Sequence, residues 1–161
     1  MDQAPVTATL SAAYDDDFLL WTQEQAASLR HARPNGFDWE NIAEELESLG
    51  RADRREIKTN MRAVVLHVLK CAHQPEKHKG QWESSIIEHR RRAVDLQMES
   101  PSLKPFLAAE FSAIYDTARE RAAAEMGKPI DTMPRHSAYS LETLLTPGWL
   151  PGPANAEDDD T

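Results

Sequence analysis

The chain reads as an all-α protein: a compact helical bundle of four main helices plus a short C-terminal helix, with no sheet. Three observations lead there. Apolar residues recur every three or four positions through four long windows. No window shows the two-residue alternation, bounded by turns, of a half-buried strand. The breaks between windows fall where Pro, Gly, Asn and Ser cluster. Helices with one apolar face each must bury those faces against one another.

The first helix is expected to start near Tyr14 or Asp15. Asp15, Asp16 and Asp17 would then lie in its first turn, where the positive end of the helix dipole favours acids. Phe18, Trp21 or Thr22, Gln25 and Leu29 supply its stripe, and Pro34-Asn35-Gly36 stops it. Asp38 is suited to cap the second helix. There Ile42, Leu46, Leu49, Asp53, Ile57, Met61, Val64 and Val68 follow at spacings of 4, 3, 4, 4, 4, 3 and 4. One phase is held throughout, broken only by the acid at 53. Gly50 falls inside it, at a cost of roughly 1 kcal/mol against Ala. The continuous phase predicts one long helix in which Gly50 permits a close crossing; a break at Gly50 is the alternative. Gln74-Pro75 and Gly80 mark a loop.

The third helix spans about 81–99, with Trp82, Ile86, His89, Ala93 and Leu96 inward, and Ser100-Pro101-Ser102 ends it. The fourth begins at Ser102 or Lys104 and tolerates Pro105 in its first turn. It carries Leu107, Phe111, Ile114, Ala118 and Ala122, and Gly127 is its C-cap. Residues 128–139 are irregular. Ser140 caps a short helix from Leu141 to Leu145, closed by Pro147-Gly148.

A length of 161 residues predicts one domain, over 13–150, with a flexible N-terminus at 1–12 and a disordered acidic tail at 151–161. No apolar run approaches the roughly 20 residues that span a bilayer, and the N-terminal stretch lacks the form of a signal peptide. Cys71 is the lone cysteine, so no internal disulfide forms and the cytoplasm is the expected compartment. Net charge is −9, unevenly placed. Residues 51–104 hold 12 Lys and Arg against 7 Asp and Glu, leaving 6 bases and 20 acids elsewhere among the 18 and 27 in all. Such asymmetry marks a partner surface, or helices that carry solvated charge outward.

The stretch Asp38-Trp39-Glu40-Asn41-Ile42-Ala43-Glu44-Glu45-Leu46-Glu47-Ser48-Leu49-Gly50-Arg51 resembles the signature of a bacterial family known as domain of unknown function 29. The likeness continues through Arg54-Arg55-Glu56, Leu66-His67-Val68-Leu69-Lys70, Trp82, Arg90-Arg91-Arg92, Ser100-Pro101-Ser102-Leu103 and Tyr139 to Leu145. With Tyr14 to Trp21 it spans about residues 14–150. The resemblance implies a helical cytoplasmic bacterial protein with no assigned activity, and it transfers no catalytic residue.

Three constellations are candidates for chemistry. His67 lies beside Val64 and Val68, with Cys71 one turn on; Glu45, Glu56, Asn60 and His67 fall along one flank; His89 sits in the third helix's stripe. Acids and imidazoles converging in a bundle build metal centres, so His67, His89, Glu45 and Glu56 are the candidate ligands. The Glu-x-x-His motif is absent, however, and zinc sites normally need three or four ligands. The bland reading is two histidines bonded to backbone or carboxylate, with Cys71 in the core. Second, Arg51, Arg54, Arg55, Lys58 and Arg62 share a helix face; with Lys77, Lys79, Arg90, Arg91, Arg92 and a stacking plane from Trp82 they would bind nucleic-acid phosphates. An acidic chain argues against that, and Glu44, Glu45, Glu47, Asp53 and Glu56 stand ready as ion-pair partners. Third, Trp21, Trp39, Trp82 and Trp149 are candidate hot spots or plugs of the bundle ends.

No Gly-rich phosphate loop, Gly-x-Ser-x-Gly, Cys-x-x-Cys or His-Glu-x-x-His occurs. The sequence therefore leans away from an enzyme, and no cofactor is implied. The first expectation is a non-catalytic protein-interaction module with a protein partner. Nucleic-acid binding through the Arg51–Arg92 face and a metal-dependent enzyme are the alternatives.

Overall fold

A computed structural model describes residues 14–32, 38–77 and 80–152. Among them are five α-helices, two single 3-10 turns and no strand. The helices are α1 (Phe18–Ala32), α2 (Trp39–His73), α3 (Gly80–Glu99), α4 (Leu103–Met126) and α5 (Leu141–Leu145). The stop expected at Pro34-Asn35-Gly36 and the flexible end at 1–12 lie outside the described residues, as does the acidic tail beyond Gly152. Among the described residues no helix is long and apolar enough to cross a membrane.

The start of α1 differs from the sequence expectation, and the reason is a cap. Asp17 is buried and stays outside the helix, where its carboxylate accepts the Leu20 N–H at 2.9 Å. The same carboxylate accepts the Ser102 N–H at 2.6 Å and the Ser102 hydroxyl at 2.9 Å. Ser100 completes the tie by accepting the Leu19 N–H at 3.1 Å. One acid thus joins the starts of α1 and α4. The face α1 buries is Leu19, Thr22 and Ala26, while Phe18 and Trp21 are half-buried and stack on one another, with Tyr14 edge-on to both.

The second helix is continuous through Gly50. Asp38 caps it by accepting the Asn41 N–H at 3.3 Å, and its 35 residues reach about 50 Å at 1.5 Å per residue. At Gly50, α1 comes so close that an added Cβ would lie 2.6 Å from Leu19 Cδ1 and 3.0 Å from Thr22 Oγ1.

The other helices arrange themselves round this rod. α1 and α3 run antiparallel to α2: Leu19 lies at Gly50 and Arg30 at Glu40, while Trp82 lies at Lys70 and His89 at Asn60. α4 runs parallel, with Lys58 on Glu110 and Lys70 on Glu125. α2 packs extensively on all three, whereas α3 and α4 barely touch. The core lies along the second half of α2: Ile57, Met61, Val64 and Val68 meet Ile86 and Ala93 of α3, and Leu107, Ile114 and Ala118 of α4. Gly127, with φ of 63°, ends α4 in a left-handed cap, the Lys128 N–H returning to the Ala123 carbonyl at 3.0 Å. Ser140 caps α5 by accepting the Thr143 N–H at 3.0 Å.

The predicted stripe of α2 is only half inside. Ile57 onward is buried, but Ile42 and Leu49 are exposed and Leu46 is half-buried. The cause is length. α3 is 20 residues and ends at Glu99, which acts on Asp53, so the line running back from Asp53 to Ile42 extends past its end.

Candidate functional site

The histidine cluster sits between α2 and α3. Asn60 is buried; its amide donates to the Glu56 carbonyl at 3.0 Å, which leaves its oxygen facing His89 Nδ1 at 2.8 Å. His89 therefore carries its proton on Nδ1. His67 is half-buried with Nδ1 closed off from water and without a hydrogen-bond partner. Burial, then Lys70, hold the His67 ring below the ordinary histidine range, and burial does the same for His89. Burial pushes the Cys71 thiol up to about 11, with Glu83 adding to it, so this sulfur is a core group rather than a nucleophile at neutral pH. Glu56 faces solvent. Glu45 faces solvent about 33 Å along the axis from His67 at 1.5 Å per residue. Among the described residues no three His, Cys, Asp or Glu side chains come together to hold a metal ion.

The basic residues divide. Arg51, Arg54, Arg55, Lys58 and Arg62 come together with Phe106 of α4 round a groove of about 310 Å³. Arg51 pairs with Glu44 at 2.6 Å and Lys58 with Glu110 at 2.6 Å. Arg54 lies over the Phe106 ring, 5.1 Å from its centroid. The remaining bases are elsewhere. Arg90 is buried and donates to the carbonyls of Leu144 at 2.7 Å and Trp149 at 2.8 Å, which fastens α5 to α3. Arg91 pairs with Asp95 at 2.7 Å and Glu88 at 3.3 Å, and Arg92 with Glu88 at 2.8 Å. Trp82 is buried under Lys70, whose Nζ lies 4.8 Å from the ring centroid. Lys77 is exposed in the turn after α2, and Lys79 lies outside the described residues.

Two features were not legible beforehand. The uncovered start of α2 forms a groove of about 380 Å³ walled by Ile42, Leu46 and Leu49 and rimmed by Asp38, Asn41 and Glu45. Asp53 continues that line, and burial, then Glu56 and Glu99, push its carboxyl above the usual range. The second feature is a cleft of about 520 Å³ between the last turns of α2 and the irregular segment 131–139, floored by Val65, Val68, Leu69 and Ala72. The roof of that cleft is held by Tyr115, whose hydroxyl donates to the Pro134 carbonyl at 2.8 Å, and by Arg119, which donates to the carbonyls of Ile130 at 2.9 Å and Met133 at 3.1 Å. Trp21 stacks on Phe18 and meets Tyr14 edge-on, and Trp149 meets Tyr139 edge-on with ring centroids 4.7 Å apart.

Comparison with known proteins bears on the fold. The family described as "Domain of unknown function DUF29" matches residues 13–150. An alpha-helical protein of unknown function from Rhodospirillum rubrum, known from a crystal structure, is similar with a TM-score of 0.72. It is 24% identical, over 83% of this chain and 89% of that one. No curated protein matches.

Proposed function

We propose that this chain, which belongs to the family described as domain of unknown function DUF29, is a non-catalytic module that docks a helix of another protein on the uncovered start of α2. The observation that carries this reading is the line Ile42, Leu46, Leu49, left open where α3 ends. Its spacing of 4 and 3 is the seam an amphipathic helix fits, with anchors at i, i+3, i+4 and i+7. Charge selects the partner. Glu45 stands on the rim, and Asp53, Glu56 and Glu99 crowd the end of the line with no basic side chain paired to them among the described residues. The fitting partner is a helix with an apolar face and Lys or Arg beside it, because like charges meeting there would repel.

A displayed library of helical peptides tests this. Selection on the protein should enrich apolar residues at i, i+3, i+4 and i+7 flanked by bases. Those peptides should lose at least tenfold in affinity on Leu46→Asp and on Asp53→Lys. Peptides that bind both variants as tightly as the parent would refute the reading. So would a symmetric dimer that Leu46→Asp dissociates, since a second copy would then be the natural occupant.

A further inference from the structure

We infer that the groove between α2 and α4 binds a small organic phosphomonoester, its phosphoryl group on Arg54, Arg55 and Arg62 and its carbon body along the edge of the Phe106 ring, whose face Arg54 covers. The site is on a different face of α2 from the apolar line and does not depend on it. Five cationic side chains line this groove, and two are neutralised by Glu44 and Glu110. Arg54, Arg55 and Arg62 have no carboxylate and no hydrogen-bond acceptor among the described residues, although the chain carries 27 acids. Buried polar groups in proteins are nearly always bonded. Here the Nε atoms of both Arg54 and Arg62 are shut off from water with no acceptor. Both guanidiniums are thus held at their inner edge, which leaves their outer nitrogens to meet an anion at a lower cost of ordering than free side chains.

The geometry points to a phosphoryl group rather than a carboxylate or a polymer. Three guanidinium forks offer more donors than one carboxylate accepts, whereas a phosphoryl group has three acceptor oxygens and close to two charges. A nucleic-acid strand would need a continuous basic track. Instead Arg90 is interior, Arg91 and Arg92 are paired on α3, and Trp82 is buried.

Calorimetric titration with phenyl phosphate, inorganic phosphate and a mixed-sequence single-stranded DNA 20-mer decides it. Phenyl phosphate should bind one to one, at least fivefold tighter than inorganic phosphate, and weaken several-fold between 50 and 300 mM salt. Arg55→Gln with Arg62→Gln should cost at least tenfold. The exposed Arg55→Glu alone should cost as much should the double variant not fold. Arg91→Gln with Arg92→Gln should change nothing. Any of four outcomes overturns the inference: no saturable binding; equal affinity for inorganic phosphate, which makes the groove an ion site; equal loss in the α3 variant, which makes binding nonspecific; or DNA binding tighter than phenyl phosphate.

Discussion

Arg90 shows how little a residue's type says about its role. It stands in a run of three arginines, yet its two neighbours are surface ion pairs and it alone is interior. Its fork meets the carbonyls of Leu144 and Trp149, at the negative end of α5, which is a geometry a lysine ammonium cannot reproduce. Arg90→Lys should leave one buried carbonyl unpaired and cost about 1–3 kcal/mol. Urea unfolding measures that, and hydrogen exchange should show protection lost first in 141–150. The histidines give a second expectation at this scale. Burial lowers the pKa of His67, His73 and His89 in the folded chain. Between the lowered values and the ordinary 6.5 or so, the unfolded chain binds more protons, so stability rises with pH there. The urea midpoint should therefore be lower at pH 5.5 than at pH 7.5, and His67→Gln should shrink the difference. A midpoint unchanged by pH would contradict this.

At the scale of the element, Gly50 is set by a neighbour and not by its own helix. A bare helix would gain roughly 1 kcal/mol from Ala there. Leu19 and Thr22 leave no room for a Cβ, and Thr22 Oγ1 is held to the Leu19 carbonyl at 2.7 Å. Gly50→Val should therefore destabilise by about 2–3 kcal/mol through overpacking, seen as a lower denaturation midpoint with helix content retained at low denaturant. The helix starts and stops were readable where the signal is local. Asp38, Ser140 and Gly127 act on amides or carbonyls within four residues. Asp17 departs from its expected place in the first turn because two of its three side-chain bonds go to Ser102, which no local pattern reveals.

The whole molecule is organised by unequal lengths. One rod of 35 residues is covered by partners of 15, 20 and 24, so some of its apolar line must remain outside. Ile57 and Leu49 occupy the same sequence stripe but differ wholly in cover: Ile57 is 0% exposed and Leu49 is 49% exposed. Ile57→Ala should cost about 2–5 kcal/mol, while Leu49→Gln should stay within about 0.5 kcal/mol. Equal losses in thermal melts would place Leu49 in the core and remove the docking groove. The basic set was legible as a helix face, since Arg51 to Arg62 recur at helical spacing. That Phe106 walls it, and that Arg90 does not join it, followed from α4 lying parallel to α2 and α5 needing an anchor.

Periodicity, caps and breakers marked the five helices of the described residues, nearly where each begins and ends, and favoured an unbroken α2 while leaving a break at Gly50 open. Those features depend on bonds between residues three or four apart. Which apolar residues are covered, which arginines find a carboxylate, and whether His67 and Glu45 meet depend on contacts between residues far apart in the chain. Only the packing of α1, α3 and α4 along α2 decided them, because burial belongs to pairs of surfaces and not to any one helix.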